Sequence, residues 1–471
     1  MTALAAELVG GRDVGEVVVD LEISRAWLVD PASGREGPGE IVVTDGVIEA
    51  LTWLDGDDGN GVDEGGIVVA PGFVDLHAHL REPGGEDAET IGSGLAAAAH
   101  GGFTTVCAMP NTTPTLDEPS VLGRVLAAAA RSGSPVELLA HGAVSVGRSG
   151  ETLAALGELA DAGVVGFSDD GAPVRSAGLL RSALAYAGMF GLPVVDHPED
   201  ASQTDGAEAN DGLVATVLGL RGWPAAAEAA AVARDLAVLD EVRRDVAGAR
   251  LHLTHVSTGA ALELIRAAKA AGLPVTCDVT PHHLALTDAW LAGWRRFAWD
   301  EAWSPGSAVD AAPFSSALRV NPPLRSAANA AACRAALMDG TVDAIATDHA
   351  PHSSVAKDVE FGLAANGISG LETALGLLLA AVDAEELALS TVVAALTTGP
   401  SRVLGLRPPA VPRRLAEGVP ADLVIFDRGD SWPVTAEALA SKGKNSPLLG
   451  RSLPGRVLLT IAGGRLAYSA E

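Results

Sequence analysis

Between residues 73 and 350 the chain repeats one alternation of apolar and polar positions. A short β-branched run is followed by turn residues, and then by an Ala/Leu-rich stretch whose apolar residues recur at i, i+3 and i+4 before a closing Gly. Eight such runs occur: GFVDLH (72–77), FTTVCAM (103–109), VELLAHG (136–142), VVGFSD (164–169), PVVDH (193–197), RLHLTH (250–255), PVTCDV (274–279) and VDAIATD (342–348). Stretches such as ETIGSGLAAAAHGG, SVLGRVLAAAARSG, GLLRSALAYAGMFG and GALELIRAAKAAG predict the intervening helices. Eight strand–helix units predict an α/β fold of the (β/α)8 barrel type, the open doubly wound sheet being the other arrangement this alternation permits.

The two flanks have a different texture. VVVDLEIS, EIVVTDGVIEAL and GIVVAPG before the barrel, and ADLVIFD and GRVLLTIAGGRLAY after it, are β-rich runs broken by Gly, Asp and Pro. They predict one small β-domain assembled from both chain ends, with residues 1–70 and 401–471 as its halves and residues 71–400 as the barrel. The acidic LDGDDGNGVDEGG stretch (54–66) is expected to be a solvated turn.

Composition narrows the function. Thirty-two Lys and Arg against 60 Asp and Glu leave a formal charge of −28 at pH 7. Nucleic acids and anionic membranes, which are held by clustered cations, are excluded as partners. A hydrophobic content of 48% and a mean hydropathy of +0.26 describe a chain that buries a large core. Cys107, Cys277 and Cys333 are odd in number and widely spaced, so no disulfide framework is read from them, and Cys107 and Cys277 fall inside predicted strands as buried apolar residues. No basic-then-apolar leader and no apolar run of roughly 18 residues is seen, so a cytoplasmic protein is expected.

The first run ends Asp75-Leu76-His77-Ala78-His79. Side chains at i and i+2 of a strand share a face, so both imidazoles can point into a barrel mouth. An isolated HxH is as well explained by two histidines hydrogen-bonded at a strand end. The other strand ends change the weighing, because His197 closes the fifth run, His255 the sixth and Asp348 the eighth, while Asp169-Asp170 follow the fourth. In a barrel these positions converge on the C-terminal rim. Four histidines and two carboxylates exceed one tetrahedral zinc and suit two metal ions that share a bridging carboxylate and water.

The strings PGFVDLHAHLREPG (71–84), GGFTTVCAMPNTTP (101–114), FSDDG (167–171), HPED (197–200), LHLTHVST (251–258), VTPHHL (279–284), NPPLR (321–325), ATDHAPH (346–352) and GISGLET (367–373) closely resemble the bacterial long-chain (class I) dihydroorotases of the amidohydrolase superfamily. The resemblance spans nearly the whole chain. It implies His77, His79 and Asp348 on one zinc, His197 and His255 on the other, and Asp170 between them. Asp170 is taken over Asp169 because the family pattern sets the second Asp of the DDG string 27 residues before the HxED histidine, and 197 − 170 = 27. Without its surroundings the DDG string would be an ordinary Asp-Gly turn. Many superfamily relatives bridge their metals with a carboxylated lysine, yet the chain has only Lys269, Lys357, Lys442 and Lys444, none near residue 170. A bridging Asp disfavours hydantoinase-like and allantoinase-like relatives.

The implied reaction is the reversible interconversion of N-carbamoyl-L-aspartate and L-dihydroorotate plus water, a step of pyrimidine synthesis. Two divalent ions would activate the water, and Asp348 would serve as general acid and base. By resemblance Arg81, Asn111 and His352 hold the substrate carboxylate, Asn321 contacts the ring, and Asn366-Gly367 line the site in the slot of the family's usual Phe-Gly pair. The bland readings are a surface ion pair for Arg81 and an Asx-turn for Asn111. The segment 352–366 is expected to be a mobile lid, and His282 and His283 to be structural. The stretch 288–319, longer than the family pattern, carries four of the eight tryptophans; the four-residue spacing of Trp290/Trp294 and Trp299/Trp303 predicts a helix packed on the barrel, with a subunit contact as the alternative. The resemblance leaves room for a homodimer and for association with aspartate transcarbamoylase. The rival readings are another cyclic amidohydrolase and an inactive homologue acting as a scaffold for that enzyme.

Overall fold

The computed structural model describes residues 15, 17–54, 65–405 and 414–470. Most of the N-terminal stretch before Val17, and residues 55–64 of the acidic run, lie outside the described residues.

Strand β1 (Leu21–Asp30) pairs antiparallel with β2 (Arg35–Thr44), which pairs with β3 (Val47–Trp53). The β2–β3 turn is Asp45-Gly46, with φ of +49° and +74°, the two left-handed residues that a tight hairpin requires. Strand β4 (Ile67–Pro71) lies parallel beside β1 and leads through Gly72 into β5 (Phe73–Ala78). A Cβ at Gly72 would stand 2.2 Å from Thr104 Oγ1, so the passage from sheet to barrel demands glycine.

The barrel continues with β6 (Phe103–Ala108), β7 (Glu137–Ala140), β8 (Phe167–Ser168) and β9 (Val194–Asp196). After a two-strand ribbon of β10 (Ala209–Asn210) and β11 (Gly222–Trp223) come β12 (Leu251–Leu253), β13 (Val275–Val279) and β14 (Ala344–Ile345). Strands β5-β6-β7 and β8-β9-β12-β13-β14 pair in parallel. Two bridges, Gly142 to Phe167 and Ala78 to His349, close them into a ring of eight, the second reinforced by His79 N donating to His349 O at 2.8 Å. This is the (β/α)8 barrel, and its eight strands fall on the eight apolar runs. Parallel barrel strands are covered on both faces, and β5 and β6 are buried at every residue.

Helices fill the connections because their local signals agree with the pattern. Ile91–His100 starts at a Thr90 capping box, and Pro119–Ser132 opens on Pro and ends at Gly133 with φ +69°. Ala177–Met189 and Gly259–Ala270 start at Ser176 and Thr258, whose side chains accept from backbone N–H groups. Leu95, Leu184 and Ile265 are fully buried against the strands. Truncating such a side chain to Ala typically costs about 2–5 kcal/mol.

The C-terminal strands β15 (Leu423–Pro433), β16 (Ser452–Ala462) and β17 (Arg465–Ser469) return to the first sheet, giving the order β17-β16-β15-β4-β1-β2-β3. The central strand β4 therefore has an N-terminal neighbour on one side and a C-terminal neighbour on the other.

The Trp-rich stretch departs from the predicted helix. Only short 3-10 turns form, at Asp288–Ala292 and Ser316–Leu318, and the first ends at Gly293 with φ +86°, where a Cβ would meet Ala311 O at 2.1 Å. Pro305, Gly306 and Pro313 then keep the chain irregular. Trp290 and Trp294 are nevertheless buried, their indole N–H groups donating to Arg296 O and Glu301 O. The four-residue spacing reflects two separately packed rings rather than a helical face.

Candidate active site

At the C-terminal rim of the barrel the strand ends bring six side chains to one point. His77 Nε2 lies 3.3 Å from His79 Nε2, 3.1 Å from Asp170 Oδ2 and 3.5 Å from Asp348 Oδ1. His79 Nε2 lies 3.2 Å from the same Asp348 oxygen. The other oxygen of Asp170, Oδ1, is 3.2 Å from His255 Nε2 and 3.4 Å from His197 Nδ1, and these two nitrogens are 3.0 Å apart. All six residues are buried. His255 and Asp348 have φ of +40° and +46°, left-handed backbone that swings each side chain into the mouth as its strand ends.

These separations are a test of whether the site can hold cations. Nitrogen and oxygen donors about 2.0–2.1 Å from a tetrahedral ion stand about 3.3 Å from one another, close to the spacings seen. The outer bonds of the imidazoles agree. Thr254 Oγ1 donates to Asp278 Oδ2 at 3.0 Å, so it accepts from His77 Nδ1 at 2.8 Å. Asn111 Oδ1 accepts from His79 Nδ1 at 2.9 Å, and Glu199 Oε2 accepts from His197 Nε2 at 3.0 Å. In the neutral, metal-binding form each of these three rings would turn its remaining nitrogen, with a lone pair, toward the centre. The donors are spaced to hold metal, His77, His79 and Asp348 forming one such group and His77, Asp170 and His255 another.

Without a cation, protons balance the charge. Burial pushes the His77 and His197 imidazoles toward neutrality. The Asp170 carboxylate overrides it, with Asp348 assisting at His77 and Glu199 at His197, and raises them to about 9 and about 10. Burial works against the charged form of Asp170, but the same imidazoles hold it well below the usual carboxylate range.

Beside this cluster lies a cavity of about 180 Å3, smaller than the roughly 300–1,000 Å3 of drug-sized pockets and suited to one small ring. Arg81, Asn111, Asn321, His352, Asn366 and Gly367 all line it, together with His79, Asp170, His197, His255 and Asp348. Arg81, with φ +60°, donates from Nε to Pro351 O at 3.1 Å, and its Nη2 is 3.3 Å from His352 Nε2. Burial, with help from the Arg81 charge, depresses His352 to about 4, so its ring is neutral, and Nε2 donates to Asn366 O at 2.7 Å. Asn111 has its Oδ1 engaged by His79, which leaves Nδ2 as a donor. Asn321 Nδ2 donates to Glu199 Oε2 at 3.2 Å, and its buried Oδ1 has no partner among the described residues. The cavity therefore offers a guanidinium and an amide donor on one side and an orphan amide acceptor on the other. Asp169 turns away, its oxygens accepting from Ser145 N and Oγ. His283 is tied to Thr280 Oγ1 and Pro322 O, and all three cysteines are buried.

A family profile described as dihydro-orotase-like matches residues 66–261. A protein of Anaeromyxobacter dehalogenans strain 2CP-1 named dihydroorotase is 48% identical over 453 residues, covering 96% of this chain and 98% of the relative. The chain belongs to the dihydroorotase family. A dihydroorotase of Pelotomaculum thermopropionicum, 43% identical, covers 95% of this chain and 98% of its own length. Among solved structures the L-hydantoinase (dihydropyrimidinase) from Arthrobacter aurescens superposes with a TM-score of 0.74 at 25% identity over 96% of each chain, and the dihydropyrimidinase from Brevibacillus agri NCHU1002 shares the fold with a TM-score of 0.73 at 20% identity over 95% of each. As a member of the dihydroorotase family the chain is a metal-dependent cyclic amide hydrolase acting on a small molecule. No helix among the described residues is long and apolar enough to cross a membrane.

In this dihydroorotase-family site Glu199 of HPED, bonded to His197 and Asn321, is a further site residue that the sequence motifs do not single out. Its position two residues after His197 was the available signal. Thr254 and Asp278, which orient His77 from other strands, carry no local signal at all.

Proposed function

We propose that the chain is a dihydroorotase, interconverting L-dihydroorotate plus water and N-carbamoyl-L-aspartate in cytoplasmic pyrimidine synthesis. The observation that carries this reading is the split of the Asp170 carboxylate, Oδ2 3.1 Å from His77 and Oδ1 3.2 Å from His255, beside a cavity that offers Arg81 and Asn111 to an anion. His77, His79 and Asp348 would hold one divalent ion and His197 and His255 the other, with Asp170 shared; zinc suits this nitrogen and oxygen donor set. When bound, such ions supply Lewis acidity to the amide carbonyl and lower the pKa of a water between them.

The chain's own groups do the rest. Arg81 and Asn111 Nδ2 hold the carboxylate that the ring carries throughout, which fixes the amide over Asp170. Asn321 Oδ1 accepts a ring N–H. Asp348, with Oδ1 directed at the histidines, takes the proton of the attacking water as the new C–O bond forms. It returns that proton to the ring nitrogen as the C–N bond breaks, and the same steps reversed close the ring. The test is ring closure of N-carbamoyl-L-aspartate followed by ultraviolet absorbance, before and after chelation. Turnover that chelation abolishes and metal restores is expected; turnover on hydantoin or allantoin but not on dihydroorotate would overturn the assignment.

A further inference from the structure

The segment Ser441–Ser446, between β15 and β16, reaches from the C-terminal flank to the barrel mouth. Its Asn445 is buried and bonded on every side. Oδ1 accepts from His352 N at 2.8 Å and from Ser369 Oγ at 3.0 Å, while Nδ2 donates to Ala350 O at 3.0 Å and to Gly367 O at 2.9 Å. One amide therefore joins both roots of the loop 351–367, whose ends present His352, Asn366 and Gly367 to the cavity. Few other bonds close the loop: Ala350 N to Ile368 O at its roots, Ala365 N to Ala356 O within it, the His352–Asn366 contact, and Gly367 N donating to Arg319 O outside it. The strap lies tight against the loop, since a Cβ at Gly443 would stand 2.6 Å from Pro351 Cβ and 2.7 Å from His352 N. It is anchored in turn by Glu89, which accepts from Ser441 Oγ at 2.6 Å and from Lys442 N at 3.1 Å.

We propose that Asn445 is a positioning residue for substrate capture, holding the two roots of the 351–367 loop at the spacing that turns His352 and the Asn366–Gly367 backbone toward the cavity. The proposal rests on the dihydroorotase reading for its substrate, though not for the clamp itself. The amide is required, because two donors and two acceptors are used. Asn445→Asp keeps the shape but sets carboxylate oxygens against the carbonyls of Ala350 and Gly367.

The test compares the metal-loaded wild type with N445A, N445D and S369A, the last removing the hydroxyl that lies 3.0 Å from Oδ1 and 2.6 Å from Gly443 O. KM for dihydroorotate is expected to rise about tenfold in N445A and N445D and about twofold to fourfold in S369A, with kcat within about threefold and metal content unchanged. Hydrogen exchange supplies the second reading, the amide of His352 losing protection in N445A. Unchanged KM, or kcat falling at constant KM, overturns the proposal, as does full protection of His352 in N445A. If N445A does not fold, S369A decides, and an unchanged KM there is negative. A wild type without turnover would sink the functional reading alone, leaving the exchange result to judge the clamp.

Discussion

Replacing Arg81 by Ala tests how the site reads an anionic substrate. Arg81 is half-buried, its Nε is committed to Pro351 O, and the remaining guanidinium edge faces the cavity beside Asn111. A charged hydrogen bond contributes about 1.5–3 kcal/mol, so two bonds to one carboxylate amount to about 3–6 kcal/mol and a loss of about 10²–10⁴ in kcat/KM. The neighbouring His352 is neutral, so it does not replace the lost charge. The assay is kcat/KM for dihydroorotate and for dihydrouracil, the same ring without its carboxylate. The wild type should strongly prefer the acid, R81A should lose most of that preference, and Arg81→Lys should recover part of the rate through its charge without the paired geometry. Equal losses of R81A on both substrates would refute the reasoning, because they would make Arg81 a support of the loop rather than the carboxylate's partner.

Asp348→Asn should keep bound metal, since five donors remain, yet lose about 10²–10⁴ in turnover, and near wild-type kcat in a metal-replete sample would exclude proton transfer by this group. Metal affinity should rise with pH: His77 at about 9 and His197 at about 10 each hold a proton that an ion must displace, so zinc competition against a chelator at pH 6.5 and 7.5 should differ by about tenfold per displaced proton, and a flat profile would count against this ligand set. Lys357 donates to Ser316 O and Arg319 O, and burial, aided by Arg319, lowers it from 10.5 to about 7. Between these values the unfolded chain keeps a proton that the folded one has lost, so folded-state stability rises with pH across this window, by about 1.4 kcal/mol per pH unit. Urea unfolding at pH 7.5 and 9.5 should therefore show that rise in the wild type relative to Lys357→Met, and parallel profiles would refute it.

The barrel was legible because each strand is a continuous apolar run bounded by Gly or Pro and ends in a polar residue that the core cannot use. His77, His79, His197, His255 and Asp348 stand at such ends, so their meeting follows from closing the ring. What was not legible depends on contacts between distant positions. Asn445 lies 93 residues from His352, in a stretch with no periodicity, and its role becomes visible only when the strap is seen against the loop. The Trp spacing misled for the opposite reason. It satisfied a helical period in a segment whose Gly293, Pro305 and Pro313 forbid a continuous helix.

The sheet order has a consequence for biosynthesis. Strand β4 is met early and runs straight into the first barrel strand, but its partner β15 begins only at Leu423. A ribosome has therefore made every barrel strand while the five apolar residues Ile67–Pro71 still present one unpaired edge. Such an edge is where nascent chains stick to one another, and the last tenth of translation removes it.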